Sequence, residues 1–415
     1  MDEANEFFAE RCAGLDVHQK TVVATVRVPG RHGGRRTETS TFGTTVKRLT
    51  ELSDWLASFG VTLVGMESTG VYWKPVYYLL EERFDCWLLN AQHLHNVPGR
   101  KTDVADSVWI ARLLEQGLVR PSFVPPPQIR DLRDLTRYRR ALTEERGREI
   151  QRLDKVLQDA SIKLSSVVST LQTKSARDML KGLIAGQPAQ TLARLGRGRL
   201  KDKQAELAEA LTGRFRRDHH GLLVAHILTH VDFLDDQIDQ LDARIEELFA
   251  PFGNLVELVA TIPGVSDRGA QALLAETGTD MSRFPTAAHL ASWAGICPGN
   301  DESAGKTRNR RTRKGSTWLR TELTTAARAA ARTKGTHLAA HHAQIRGRRG
   351  YPKAIGATRH DILTALYFIV GDQVPYRELG PEWNDQRNAT EHRTRRLVKQ
   401  LEQLGHTVTL TPAAA

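Results

Sequence analysis

The order of short β-rich runs along residues 11–90 restricts the fold of this chain more than any other feature. RCAGLDV (11–17) and TVVATVRV (21–28) read as two strands joined by the hairpin connection HQK, and RTETSTFG (36–43) reads as a third. TTVKRLTELSDWLASFG (44–60) has helical spacing, with Val46, Leu49, Leu52 and Leu56 on one side and Gly60 as its stop. VTLVGMES (61–68) is a strand that ends in polar residues, GVYWKPVYYLLEERF (70–84) a helix, and DCWLLN (85–90) a further strand. The order β-β-β-α-β-α-β predicts an α/β layer with a mixed sheet, a three-strand meander followed by βαβ crossovers.

The next helix, opening within GRKTDVADSVWIARLLEQG (99–117), carries Asp103 and Asp106 in its first turn, three residues apart and so on neighbouring positions of one face. Acids there have a plain structural explanation: Thr102 caps the helix, and the macrodipole favours first-turn carboxylates by ~0.3–1 kcal/mol each. A second explanation comes from the strands. Asp16 ends the first, and Glu67 ends VTLVGM. Four carboxylates converging on one point raise each other's pKa, and a hard, oxygen-seeking ion such as Mg2+ relieves the repulsion. A strand-end Asp, a strand-end Glu and a helix-borne D-x-x-D, in that order, are the arrangement of an RNase H-like nucleic-acid enzyme of the RuvC type. On that reading all four acids are metal ligands.

At 415 residues the chain exceeds the ~250–300 at which single cores divide, so at least two domains are expected. The proline-rich RPSFVPPP (120–127) marks the first boundary, giving an α/β domain over 1–125. A long, charged helical linker follows over 126–251, with short helices between 165 and 220. Within it Ile227, Val231, Leu234, Ile238, Leu241, Ile245 and Leu248 step by four and three, a coiled-coil seam that Pro251 ends. Two packings satisfy the seam, against a second copy of the chain or within a helical hairpin of its own. Residues 252–376 form a helical domain that opens on LVATIPGVSDRGAQALLAETG. This is either a helix-hairpin-helix, whose turn amides touch a phosphate, or a plain αα-hairpin. Residues 377–415 are a basic tail. The fold class expected is therefore α/β plus mainly α.

Lys and Arg number 59 against 48 Asp and Glu, a formal charge of +11 that favours a polyanionic partner such as nucleic acid. The three cysteines form no C-x-x-C pair, and no signal peptide or membrane-spanning run is present, so a soluble, cytoplasmic protein with no membrane partner is expected. No phosphate-binding G-x-x-x-x-G-K-[ST] loop appears. The pairs His219-His220 and His341-His342 lack the partners of a zinc site and read as solvated.

A second candidate centre lies at GICPGNDESAGKTRNRRTRKGSTWLR (295–320). Ser303 sits in a turn-like segment between Gly299 and Gly305, followed by Lys306, Arg308, Arg310, Arg311, Arg313 and Lys314. The basic run is a phosphate-binding face. The serine is either a nucleophile or a turn residue bonded to its own backbone.

Nearly the whole chain resembles the DEDD transposases of bacterial insertion sequence family 110, the bridge-RNA-guided recombinases. GLDVHQKT, GMESTGVYWKPVYYLL, LNAQHLHNVPGRKTDVADSVWIARLL and LQTKSARDMLKGLIAG resemble the first domain and linker of that family. IPGVSDRGAQALLAETG and SWAGICPGNDESAGKTR resemble its C-terminal transposase domain. The resemblance implies magnesium on Asp16, Glu67, Asp103 and Asp106, and a catalytic serine at Ser303. Many relatives carry two adjacent serines before the Gly-Lys; this chain has Glu302-Ser303-Ala304, leaving one candidate. It also implies a composite site in a homo-oligomer, dimer or tetramer, and a structured noncoding guide RNA that pairs with donor and target DNA. The expected reaction is strand cleavage and exchange through a covalent phosphoserine. The alternatives are a hydrolytic RuvC-type junction resolvase using water, and a catalytically silent nucleic-acid-binding scaffold.

Overall fold

The computed structural model describes residues 7–30, 34–68, 70–90, 94, 106–297, 301–303, 306–309, 312, 315–383, 394–395 and 397–410, with the backbone alone for 301–303 and 306–309. The chain divides into two compact units, residues 1–125 and 126–415.

The first unit is built on five strands: β1 (Cys12–Val17), β2 (Thr21–Pro29), β3 (Arg35–Gly43), β4 (Leu63–Glu67) and β5 (Asp85–Leu89). Their order in the sheet is β3-β2-β1-β4-β5. The meander β1-β2-β3 is antiparallel, and β1-β4 and β4-β5 are parallel. The mixed sheet expected from the order of runs is present. Sequence explains the placement. CAGLDV is nearly continuous in small and apolar residues, as a strand covered on both faces must be, and β1 lies at the centre. RRTETSTFG is mostly polar and has no buried residue, as suits an edge strand, and β3 lies at one edge.

Alternation along β1 and β4 divides the core in two. Ala13, Leu15, Val64 and Met66 face a cluster completed by Leu49, Leu52 and Leu56 of α1 (Val46–Ser58) and Val76, Tyr77 and Leu80 of α2 (Trp73–Leu80). Val46, expected on that apolar side, is 73% exposed. It is the first helical residue, ahead of the turn that reaches the sheet. Cys12 and Leu63 face the other side, against Trp109, Ile110, Leu113 and Leu114 of α3 (Asp106–Glu115).

The second unit starts at α4 (Pro127–Asp159), whose proline occupies the first helical turn, where its missing N–H costs nothing. Short helices over 164–221 lead to α5 (Leu222–Phe249). Contacts of Arg139 with Asp242, Arg146 with Asp235 and His230 with Glu149 show that α4 and α5 run antiparallel. Of the seam row, Val231, Leu234, Ile238 and Ile245 are buried, and Leu142 of α4 packs on Leu234 and Ile238. Leu234 and Ile238 are thus covered by the chain's own helix.

Beyond them come α6 (Leu255–Ala260), α7 (Asp267–Thr277), α8 (Ala287–Trp293), a hairpin of β6 (Asp301–Ser303) and β7 (Lys306–Asn309), α9 (Thr317–Ala330), α10 (His337–Arg349) and α11 (Tyr351–Asp372). In the α6–α7 turn Gly264 has φ +87, and a Cβ there would stand 2.3 Å from the Ala330 amide nitrogen of α9. Close helix approach accounts for this glycine. No helix among the described residues is long and apolar enough to cross a membrane.

The histidine pairs differ from the solvated state expected of them, because adjacent helical residues point ~100° apart and one of each pair turns inward. His220 is buried, accepting the Arg216 N–H at Nδ1 (3.0 Å) and meeting Asp159 through Nε2 (3.0 Å). His342 is buried against the Thr358 hydroxyl at 3.1 Å. His341 meets Asp361 at 2.7 Å.

Candidate active site

Asp16 and Glu67 come together because β1 and β4 are parallel neighbours. Leu15 pairs with Met66, and the two acids are the next residue on each strand. Asp106 joins them because α3 is set directly on the strands. A Cβ on Gly14 would stand 2.2 Å from the Ser107 carbonyl oxygen and 2.4 Å from the Ala111 nitrogen, and one on Gly65 would stand 2.5 Å from Leu114 Cδ1. Only glycine admits a helix backbone this close to a strand.

Both ends of α3 are pinned. At the first turn the fully buried Ser107 hydroxyl hydrogen-bonds Thr25 (2.8 Å), which also meets Thr39 (2.9 Å). At the last, the buried Glu115 carboxylate takes Arg27 at 2.8 Å and Arg35 besides. Reading along the sequence missed Gly14, Thr25, Ser107 and Glu115 as determinants of the site. Glycine in an apolar strand was the available signal.

Asp106 and Glu67 both act electrostatically on Asp16. Burial pushes the Asp16 carboxyl above the usual range, and the charges of Asp106 and Glu67 push the same way; His18, whose Nε2 is 3.2 Å from Asp16 Oδ2, opposes them. Hard oxygen donors crowded in this manner suit a divalent cation in their chemistry. Among the described residues no three such donors are gathered tightly enough to hold an ion by themselves. Asp103, the expected fourth acid, lies outside the described residues.

The second candidate centre is in the other unit. Ser303 ends β6 and pairs with Lys306 at the start of β7, while Glu302 pairs with Thr307 and Asp301 with Asn309 across a bulge. It therefore stands at a strand end of this hairpin, within the segment expected to be turn-like. Lys306 and Arg308 lie on β7. Arg310, Arg311, Arg313 and Lys314 lie outside the described residues.

Where the chain returns from this excursion it is fixed firmly. A Cβ on Gly315 would stand 2.1 Å from the Ala294 carbonyl oxygen, so the segment leaves α8 and rejoins α9 at nearly one point. Ser316 caps α9 by accepting the Leu319 N–H (3.2 Å), and its hydroxyl donates to Glu276 Oε2 (2.9 Å). Arg137 grips the buried Glu276 through Nε (2.6 Å) and Nη2 (3.0 Å). Arg133 donates to the Ala275 and Glu276 carbonyls at 3.1 and 2.7 Å. The base of the serine segment is thereby tied to α7 and α4. Sequence gave no sign of this link, which joins residues 137, 276 and 316.

Comparison with known families agrees with both halves. A DEDD transposase model of the IS110 type matches residues 13–162, a span that holds Asp16, Glu67, Asp103 and Asp106. A model of transposases of the IS116/IS110/IS902 family matches residues 256–343, which include Ser303 and the basic run. No curated protein matches the sequence. Together the two models cover more than half of the chain, and the chain belongs to the IS110 family of DEDD transposases, enzymes that cut and rejoin DNA.

Proposed function

We propose that this transposase exchanges DNA strands through a covalent phosphoserine at Ser303, with Asp16, Glu67, Asp103 and Asp106 holding a divalent cation, Mg2+. The observation that carries the reading is the meeting of Asp16, Glu67 and Asp106 at one end of the sheet, with Asp16 held above its ordinary pKa by burial and by both neighbours. When bound, such an ion supplies charge neutralisation at the scissile phosphate.

The chain's own residues do the rest. The Ser303 oxygen forms a bond to phosphorus while the bond from phosphorus to one sugar oxygen breaks, and the hydroxyl proton ends on the departing oxygen. A hydroxyl of the partner strand then reverses the step and joins the exchanged strands. Phosphodiester energy is conserved throughout, so no nucleotide hydrolysis is required. Lys306, Arg308, Arg310, Arg311, Arg313 and Lys314 grip the backbone near the serine.

In this reading residues 1–125 are an RNase H-like, RuvC-type domain. Residues 126–251 are the linker with its coiled-coil seam, 252–376 the transposase domain with its helix-hairpin-helix element, and 377–415 the basic tail. Site choice comes from a structured noncoding RNA paired with donor and target DNA, while the protein reads backbone and shape, as in other RNA-guided systems. A homo-oligomer, dimer or tetramer, brings the acids and the serine together.

The test is strand cleavage by Ser303→Ala and Asp16→Ala, with DNA binding measured alongside. Both variants are expected to bind and neither to cut. Cleavage by Ser303→Ala at the wild-type rate would identify a hydrolytic enzyme with water as nucleophile.

A further inference from the structure

Several interior guanidinium groups of the second unit are matched by carboxylates. Arg137 pairs with Glu276, Arg139 with Asp242, and Arg140 with Glu144 and Glu322. These arginines border a cavity of about 290 Å3 between α4, α7 and α9, whose charges are therefore largely cancelled.

Arg359 departs from this pattern. It lies on α11, where that helix packs against α9, and is half-buried. Its Nε is shielded from solvent and has no hydrogen-bond partner. Its Nη1 reaches only the Thr324 hydroxyl, at 3.5 Å, the outer limit of a hydrogen bond. That hydroxyl is already donated to the Arg320 carbonyl at 2.6 Å. Among the described residues the formal charge that acts on Arg359 is the guanidinium of Arg320, one turn earlier on α9 and of like sign. Burial first and Arg320 second hold its pKa below the usual arginine range.

A guanidinium keeps its proton in such a setting, so the positive charge persists and stays uncompensated. Burying an uncompensated charge is costly unless something of opposite sign arrives. The space for such a group is open beside it. Gly356 interrupts α11 one turn earlier, and a Cβ there would meet only Arg359 Nη2, at 3.8 Å. Glycine inside a helix is itself unfavourable, so a reason for it is wanted. The planar fork of an arginine matches the oxygens of a phosphate, and α9 begins three residues after the basic run ends at Lys314.

We propose that Arg359, at the α9–α11 seam, is a binding site for a backbone phosphate of the DNA substrate. The site is sequence-independent and separate from the reacting atoms. It rests on the reading of this chain as a DNA-handling enzyme, and its test keeps the two apart.

Binding of a labelled DNA duplex is measured by fluorescence anisotropy over a sodium chloride series, for wild type, Arg359→Gln and Arg359→Lys. The Gln variant is expected to bind about tenfold more weakly at physiological salt, as for the loss of a hydrogen bond to a charged group. The slope of log K against log salt is expected to shrink by about 0.9, the signature of one phosphate contact, and to return with Lys. An unchanged slope in Arg359→Gln overturns the site even if the affinity falls, because a partly unfolded sample changes the active fraction and leaves the slope alone. The melting temperature of the free Gln variant is a second readout. It should equal or exceed that of wild type, since an uncompensated charge has been removed, and a clear drop would mark Arg359 as structural. An RNA hairpin of equal length distinguishes the sources of phosphate, and a slope change confined to RNA overturns the assignment to DNA. Wild-type protein that binds no duplex at all would sink the DNA-handling reading instead.

Discussion

Replacing Gly14 by alanine tests how the helix carrying Asp106 is held against the sheet. The new Cβ would stand 2.2 Å from the Ser107 oxygen and 2.4 Å from the Ala111 nitrogen, whereas real Cβ atoms stay beyond 3.0 Å. Both obstacles are backbone atoms of α3, so no side-chain rotation relieves them. The helix must retreat from β1 by about 1 Å, a change of the overpacking kind that costs ~1–3 kcal/mol. The same retreat stretches the Thr25–Ser107 hydrogen bond from 2.8 Å, a further loss of ~1 kcal/mol. It also carries Asp106 away from Asp16, and misplacement on that scale costs ~10²-fold in rate. Urea denaturation should therefore show a loss of about 2–4 kcal/mol, summing the two stability terms. DNA cleavage by the folded variant should fall about a hundredfold. Gly34→Ala is the control, because a Cβ there meets nothing within 4 Å and should leave both quantities unchanged. Wild-type stability and cleavage in Gly14→Ala would refute the reasoning.

Glu276→Gln should destabilise the second unit by roughly 2–3 kcal/mol, the lower range for breaking a buried ion pair because Arg137 is 28% exposed. It should also slow adduct formation by releasing Ser316, both effects being read by denaturation and by single-turnover cleavage. Gly147→Ala, in the exposed middle of α4 with open space around it, should raise stability by ~0.5–1 kcal/mol in a urea titration. Burial pushes the Cys12 and Cys86 thiols up to about 12, so thiolate is scarce in both until the solution is strongly alkaline. Iodoacetamide at pH 8 should therefore modify Cys297 well ahead of either in the native protein and all three in denaturant, as counted by intact mass.

The strand order was legible because alternation and turn residues are local signals. RCAGLDV and VTLVGM read as strands, and the helical stretches before VTLVGM and DCWLLN read as crossovers. Asp16 and Glu67 could be read as strand-end acids, and the parallel pairing of β1 with β4 brings those ends side by side. What holds Asp106 against them was not legible, since the tightness at Gly14 depends on a helix some ninety residues later in the chain. Glu115 carries no signal of its own in the sequence, and only the fold brings Arg27 and Arg35 to it. The seam of α5 illustrates the same division. Its spacing was plain in the sequence, but spacing does not name the partner, and the partner found for Leu234 and Ile238 is Leu142 of the same chain. At the serine segment, composition marked the basic run, while the clamp through Glu276, Arg137 and Ser316 joins residues from three separate helical regions.

The most direct test of the central claim is a mass measurement on the reacting protein. The transposase is incubated with duplex DNA carrying an end of its element, RNA transcribed from the same element, and Mg2+. It is then quenched with denaturant, digested with nuclease and protease, and mapped peptide by peptide. A nucleotide remnant joined through phosphate to Ser303, absent in Asp16→Ala, is the result expected. Cut strands with no protein-bound nucleotide, or a remnant carried by any other residue, would contradict the account.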